Sequence, residues 1–155
     1  MKIKTTLLLS LRAALGAVFV VSGFQKLTTP YQNFSAVIEK FEILPSAAAA
    51  VLAQTLPWAE FVSGVFLVAG FWEPVALAVL WAMNTLFIGV LLSALLRKLP
   101  IDSCGCFGEA LTLPLPKILS VDIFFWGLFF VYFFARKRSS AIPGLDQAFG
   151  THARR

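Results

Sequence analysis

The sequence predicts an all-α polytopic membrane protein, a four-transmembrane-helix bundle with a short amphipathic helix between spans one and two. Of its 155 residues 59% are hydrophobic and only 14% are charged, which is not the balance of a soluble globular domain. The apolar residues fall in four blocks, each about as long as a helix needs to cross a bilayer. We therefore predict one lipid-embedded domain over residues 1–138, followed by a polar C-terminal tail over residues 139–155.

The predicted spans are bounded by charged residues and prolines. In chain order they cover residues 7–27, 47–71, 75–96 and 117–135. Glu73 and Pro74 are predicted to form a very short turn, which makes spans two and three antiparallel neighbours. Lys2 and Lys4 precede the first apolar run as in a secretory signal, but the run is longer than a signal core, so we predict a retained first span.

Two further patterns refine the predicted bundle. Gly16 and Gly23 of span one are small positions at which a neighbouring helix can approach closely. Between spans one and two, an apolar stripe at helical spacing predicts an amphipathic helix that lies on the membrane surface or caps the bundle. The stripe consists of Phe34, Val37, Ile38, Phe41 and Ile43.

The net charge of +5 indicates lipid and orientation rather than nucleic acid. The basic residues lie in short groups at span ends and in the tail, not on one face of a soluble module. Slightly more of them lie on the side of the termini, so the positive-inside rule favours cytoplasmic termini in a bacterial inner membrane. The connection between spans three and four is then periplasmic.

Both cysteines of the chain lie in that connection, within the stretch Asp102-Ser103-Cys104-Gly105-Cys106-Phe107-Gly108-Glu109. Cα atoms two residues apart in extended chain are separated by about 6.6 Å, so a Cys104–Cys106 disulfide needs a bend at Gly105. A bond closed over so few atoms is expected to be strained and to exchange readily with other thiols. The spacing therefore favours a redox-active pair.

Other interpretations of the cysteine pair remain open. It could be a static disulfide, two reduced thiols without a role, or half of a metal site. Structural zinc normally takes four ligands, and His152, the only histidine, lies in the tail, so a metal site within one chain is the weakest of these. Which cysteine attacks a partner does not follow from the sequence.

Charged residues inside the spans are candidates for function. A charge at the bilayer centre costs at least about 2.5 to 3.5 kcal/mol, so Arg12, Glu60 and Asp122 need partners or water. We place Glu60 and Asp122 in the outer halves of their spans, where Glu60 pairs with Lys26 and a carboxylate moves protons during thiol oxidation. A purely structural ion pair is the alternative. Arg12 is expected to snorkel to the opposite interface, and Asn84 to bond between helices.

Several of these stretches together resemble the MauE family of methylamine-utilisation membrane proteins, within the DoxX-like group. The most specific is Cys-Gly-Cys-Phe-Gly at residues 104–108, between the last two of four spans. The others are Val21-Ser22-Gly23-Phe24-Gln25-Lys26-Leu27, Leu44-Pro45 and Leu56-Pro57-Trp58-Ala59-Glu60. Family members often have an Arg-Asp or Arg-Asn pair at the start of the last span, where this chain has Val121-Asp122.

The resemblance implies a membrane protein that supports maturation of periplasmic enzymes, including disulfide formation in methylamine dehydrogenase, alongside a thioredoxin-like partner. DoxX-like relatives imply a quinone as electron acceptor. We therefore expect Cys104 and Cys106 to exchange electrons with a thiol protein. The supporting residues are expected to be Gly105, Phe107, Gly108, Lys26, Glu60 and Asp122.

Two alternatives come from other functional classes. In the first, the protein is a non-catalytic assembly factor whose static Cys104–Cys106 bond shapes a docking loop. In the second it is a small-molecule transporter, which four spans with few central polar residues make the weaker alternative.

Overall fold

The computed structural model describes residues 2–99 and 114–138, and the regular elements of this part of the chain are helices. They are α1 (Lys2–Thr28), α2 (Tyr31–Glu39), α3 (Ser46–Ala69), α4 (Glu73–Leu96) and α5 (Leu115–Arg138). Four of them, α1, α3, α4 and α5, are long and apolar enough to cross a membrane, which confirms the predicted spans and fold class. The cysteine motif and the tail from residue 139 lie outside the described residues.

The long helices form a closed ring in which neighbours along the chain are also neighbours in space. The most extensive contact joins α1 and α3. Smaller contacts join α3 to α4, α4 to α5 and α5 to α1. Fully buried apolar side chains from all four helices meet in its interior, among them Leu15, Leu67, Leu80 and Phe129. The ring therefore encloses one core rather than two separate helical hairpins.

The predicted amphipathic helix is present as α2 and caps one end of the ring. It packs mainly on α3, with Phe34 buried against the bundle. Just after α2, Phe41 packs among side chains at the ends of α4 and α5, which are Leu91, Ala94, Leu115 and Ile118. We call this end of the bundle the α2 end.

The turn between α3 and α4 differs from the prediction. α3 ends at Ala69 and is capped by Gly70, whose φ of 74° is left-handed, and Glu73 and Pro74 are already the first residues of α4. Proline is tolerated in the first turn of a helix because its missing N–H has no partner there in any case. We call this opposite end of the bundle the Gly70 end.

Glycines hold the backbones of α1 and α3 in direct contact, as predicted for Gly16 and Gly23. A Cβ added at Gly23 would lie 2.8 Å from the backbone nitrogen of Phe61, and one at Gly16 would lie 2.9 Å from the carbonyl oxygen of Gly64. Both distances are shorter than real Cβ contacts, so a larger residue must push the helices apart.

We therefore expect Gly23→Ala to destabilise the protein by about 1–3 kcal/mol, because the clash is with backbone atoms that cannot rotate away. Gly127→Ala on α5 is the matched control, since nothing lies within 4 Å of a Cβ there, and it is expected to be neutral or to stabilise by up to about 1 kcal/mol. Unfolding of the purified variants in mixed micelles measures both. Equal effects at the two positions would contradict the close α1–α3 contact.

Candidate functional site

A buried ion pair joins α1 to α3. Lys26 Nζ donates to Glu60 Oε2 at 2.7 Å and to Oε1 at 2.9 Å, and Ser22 Oγ donates to Oε2 at 3.5 Å. Lys26 and Glu60 are only 5% and 7% exposed. The contact predicted from the sequence is therefore present, and both carboxylate oxygens are used by it.

The close α1–α3 contact brings the two side chains of this pair together. Glu60 lies nearer the end of α3 at Ala69 than its start at Ser46, and its depth in the bilayer stays a prediction. Lys26 lies two residues before the end of α1 and reaches Glu60 with its long side chain.

Asp122 of α5 and Asn84 of α4 lie near the ion pair. Both are buried, at 8% and 4% exposure, and both line the same cavity as Lys26 and Glu60. In the part of the chain that the structure describes, Asp122 Oδ2 and Asn84 Oδ1 have no hydrogen-bond partner. The expected inter-helix hydrogen bond of Asn84 is thus not made by its oxygen.

These four side chains line a cavity of about 290 Å³ at the α2 end. All five described helices contribute to its wall, and the wall is mainly apolar, with Phe34, Phe41, Phe87 and Phe125 among its aromatic members. Its polar side chains are Ser22, Lys26, Glu60, Asn84 and Asp122. A mostly apolar cavity with a few convergent polar groups is the usual form of a small-molecule site.

The connection that carries the cysteines starts and ends at this same end of the bundle. Leu99, after α4, and Leu115, at the start of α5, pack into one cluster with Phe41. Arg97 fixes the first of these ends, since it donates to the Phe41 carbonyl at 2.9 Å and to Glu42 at 3.0 Å. Cys104, Gly105, Cys106, Phe107 and Gly108 themselves lie outside the described residues.

A second polar cluster lies at the Gly70 end, and we call it the Glu73 cluster. Glu73 is 2% exposed and accepts a hydrogen bond from Tyr132 Oη. Arg136 Nε lies 3.1 Å from Glu73 Oε1, and Arg12 Nη1 lies 3.7 Å from Oε2. The cluster ties α1, α4 and α5 together around one carboxylate.

This cluster corrects one sequence prediction and adds two residues that sequence reasoning missed. Arg12 is 8% exposed and its guanidinium packs against Gly70 and Glu73, so it does not snorkel to the interface. Tyr132 and Arg136 were missed because they lie at the end of an aromatic run that is typical of lipid-facing surface. The available signal was a cation in the first span and a carboxylate at the start of the third, Arg12 and Glu73, which the predicted topology places at the same end of the bundle.

The sequence was compared with known proteins and families. It matches the family described as methylamine utilisation protein MauE over residues 4–135. The chain belongs to the MauE family. Searches of curated proteins and of solved structures find no match. The MauE match includes the cysteine motif and every polar residue of the cavity, and it identifies a multi-pass membrane protein of methylamine utilisation.

Proposed function

We propose that this MauE-family protein is a membrane thiol-disulfide redox protein that supports disulfide formation in periplasmic enzymes such as methylamine dehydrogenase. The observation that carries the proposal is that both ends of the cysteine connection are fixed beside a buried cavity with two carboxylates. Cys104 is the fifth residue after Leu99, and five residues of extended chain span at most about 18 Å.

The proposed cycle has two steps. First, a thiolate of a reduced client or thioredoxin-like partner attacks the Cys104–Cys106 disulfide to form a mixed disulfide, and the second partner thiol resolves it. The partner leaves oxidised and the cysteines are left as two thiols. Second, the thiols pass two electrons and two protons to a quinone, so that two S–H bonds are lost, the S–S bond forms again and a hydroquinone is produced.

The polar residues of the cavity have different roles in this cycle. Lys26 neutralises Glu60 and fixes it with two hydrogen bonds, which makes the pair a positioning element. Asp122 has an oxygen that no described residue uses, so it is the carboxylate with free capacity to hold a proton between the thiols and the acceptor. In this proposal Gly105 and Gly108 let the connection bend and Phe107 shapes it.

The proposal includes an orientation and an electron acceptor. Cytoplasmic termini and a periplasmic cysteine connection in the bacterial inner membrane agree with the slight excess of basic residues on the terminal side. They also place the pair outside the reducing cytosol. A quinone acceptor is consistent with the proposed DoxX-like grouping and with an apolar cavity inside the membrane-spanning bundle.

The test is disulfide trapping in native membranes with Cys104→Ser and Cys106→Ser. We expect an oxidised pair that reacts with a membrane-impermeant alkylating reagent only after mild reduction, and one single variant that traps a mixed disulfide with a partner. The Cys104→Ser/Cys106→Ser double variant is the control and should trap nothing. A bond that resists reduction, with no trapped partner in either variant, would instead support the non-catalytic assembly factor with a structural disulfide.

A further inference from the structure

Two buried hydrogen-bond acceptors face the same cavity from adjacent helices. Asn84 Oδ1 on α4 and Asp122 Oδ2 on α5 both belong to side chains more than nine-tenths buried, and both side chains line the cavity. Neither oxygen has a partner in residues 2–99 and 114–138. A buried polar group without a hydrogen-bond partner is destabilising, and such groups are rare in native proteins. The pair therefore indicates a donor that comes from outside these residues.

The other polar side chains of the cavity, Lys26, Ser22 and Glu60, form hydrogen bonds with one another. Lys26 makes hydrogen bonds to both oxygens of Glu60, and Ser22 Oγ donates to the same carboxylate. The aromatic side chains of the wall, Phe87 and Phe125 among them, carry no donor group. Two acceptors and an aromatic wall thus remain for a bound molecule.

We propose that the cavity binds a lipid-soluble molecule through a hydroxylated ring, whose hydroxyl groups donate to Asn84 Oδ1 and Asp122 Oδ2. A cavity of about 290 Å³ lies at the lower limit of small-molecule pockets and suits one ring with the start of its tail. Phe87 and Phe125 supply the apolar contact for the ring. The remainder of a lipid-soluble tail would extend toward the bilayer.

This site distinguishes the two redox forms of a quinone. A hydroquinone brings two O–H donors to the two acceptors. The oxidised form brings two carbonyl oxygens, which are themselves acceptors and form no hydrogen bond with the Asn84 and Asp122 oxygens. The redox consequence rests on the proposed function, in which a quinone takes the electrons of the cysteines. Ten-fold tighter binding of the reduced form raises the potential of the bound two-electron couple by about 30 mV, which favours oxidation of the thiols.

The test compares three probes with the same ring and the same tail on the purified protein in lipid nanodiscs. They are a decyl-substituted benzohydroquinone, its oxidised quinone and its dimethyl ether, which keeps the ring and the tail but has no O–H donor. Titration calorimetry under anaerobic conditions gives each Kd. We expect the hydroquinone to bind at least ten-fold tighter than either of the others.

Two variants and one control assign the preference to the named atoms. Asn84→Leu removes one acceptor and should reduce the preference for the hydroquinone over the ether to three-fold or less. Asp122→Asn adds an amide donor that can face a quinone carbonyl, so it should shift the preference toward the oxidised form. Ser120→Ala is the control, because this exposed serine on α5 donates to the carbonyl of Pro116 in its own helix and does not line the cavity among the described residues. It should leave all three Kd values unchanged.

The outcomes separate this inference from the proposed function. The titrations are repeated in the Cys104→Ser/Cys106→Ser double variant, in which the preference should persist because it does not depend on thiols. Equal binding of the three probes, or an unchanged preference in Asn84→Leu and Asp122→Asn, would overturn the inference even if a mixed disulfide is trapped. A clear preference for the hydroquinone together with failed trapping would support the site and remove the exchange mechanism.

Discussion

Lys26→Met is expected to destabilise the protein by about 3–5 kcal/mol, because it leaves the Glu60 carboxylate buried without its cation. Methionine keeps an unbranched side chain of similar length, so the packing of α1 against α3 changes little. Glu60 would keep only the long contact from Ser22, at 3.5 Å, among the hydrogen bonds described for it. Unfolding of the purified protein in mixed micelles gives the change in free energy.

Two controls make this prediction specific to a buried pair. In Lys26→Met/Glu60→Met no charge is left in the pair, and the double variant should recover most of the loss, since apolar replacement of a buried ion pair is often neutral. Glu42→Gln breaks the Arg97–Glu42 pair, whose side chains are 42% and 66% exposed, and should cost only about 0–1 kcal/mol. A Lys26→Met effect as small as that of Glu42→Gln would show that the Lys26–Glu60 pair is not desolvated in the membrane protein.

Glu73→Leu is expected to have a similarly large effect, about 3–5 kcal/mol, at the other end of the bundle. The substitution removes the single carboxylate shared by the Glu73 cluster and leaves the buried Arg12 guanidinium without a counter-charge. It also takes away the acceptor of the Tyr132 hydroxyl, which is itself fully buried. The same unfolding measurement applies.

Arg136→Gln is the matched comparison for the Glu73 cluster. The Arg136 side chain is 31% exposed, and its removal still leaves Arg12 and Tyr132 on Glu73, so the loss should be about 1 kcal/mol or less. Arg12→Leu/Glu73→Leu should be more stable than Glu73→Leu alone, because the double variant buries no unpaired cation. A double variant that is less stable than Glu73→Leu would mean that Arg12 is stabilised by something other than Glu73.

The fold was predictable because its main signals are strong in a single sequence. Four apolar blocks set the spans to within a few residues, and the stripe that includes Phe34 and Phe41 predicted α2. The Lys26–Glu60 contact followed from charge, since two opposite charges near one level of adjacent spans rarely remain apart. Gly16 and Gly23 indicated the closest helix contact for a steric reason.

What the sequence did not predict depends on helix rotation and on relative depth. Periodicity is weak in helices that are apolar on all sides, so it gave no sign that Tyr132 faces inward or that Asn84 Oδ1 faces a cavity. A long arginine side chain can reach either an interface or a partner, and only the position of Glu73 decides between them. The dipeptide Glu73-Pro74 is as typical of a helix start as of a turn. In the structure the chain reverses after Gly70, which caps α3, so Glu73 and Pro74 begin α4.

The two buried cations of α1 have a consequence for the order in which the protein is made. Arg12 and Lys26 are neutralised by Glu73 and Glu60, which belong to α4 and α3 and follow them in the chain. A ribosome therefore delivers the first span before either counter-charge exists, and an unpaired charge at the bilayer centre costs at least about 2.5–3.5 kcal/mol. The charges of α1 therefore stay unpaired in the membrane until α3 and α4 have been synthesised and inserted.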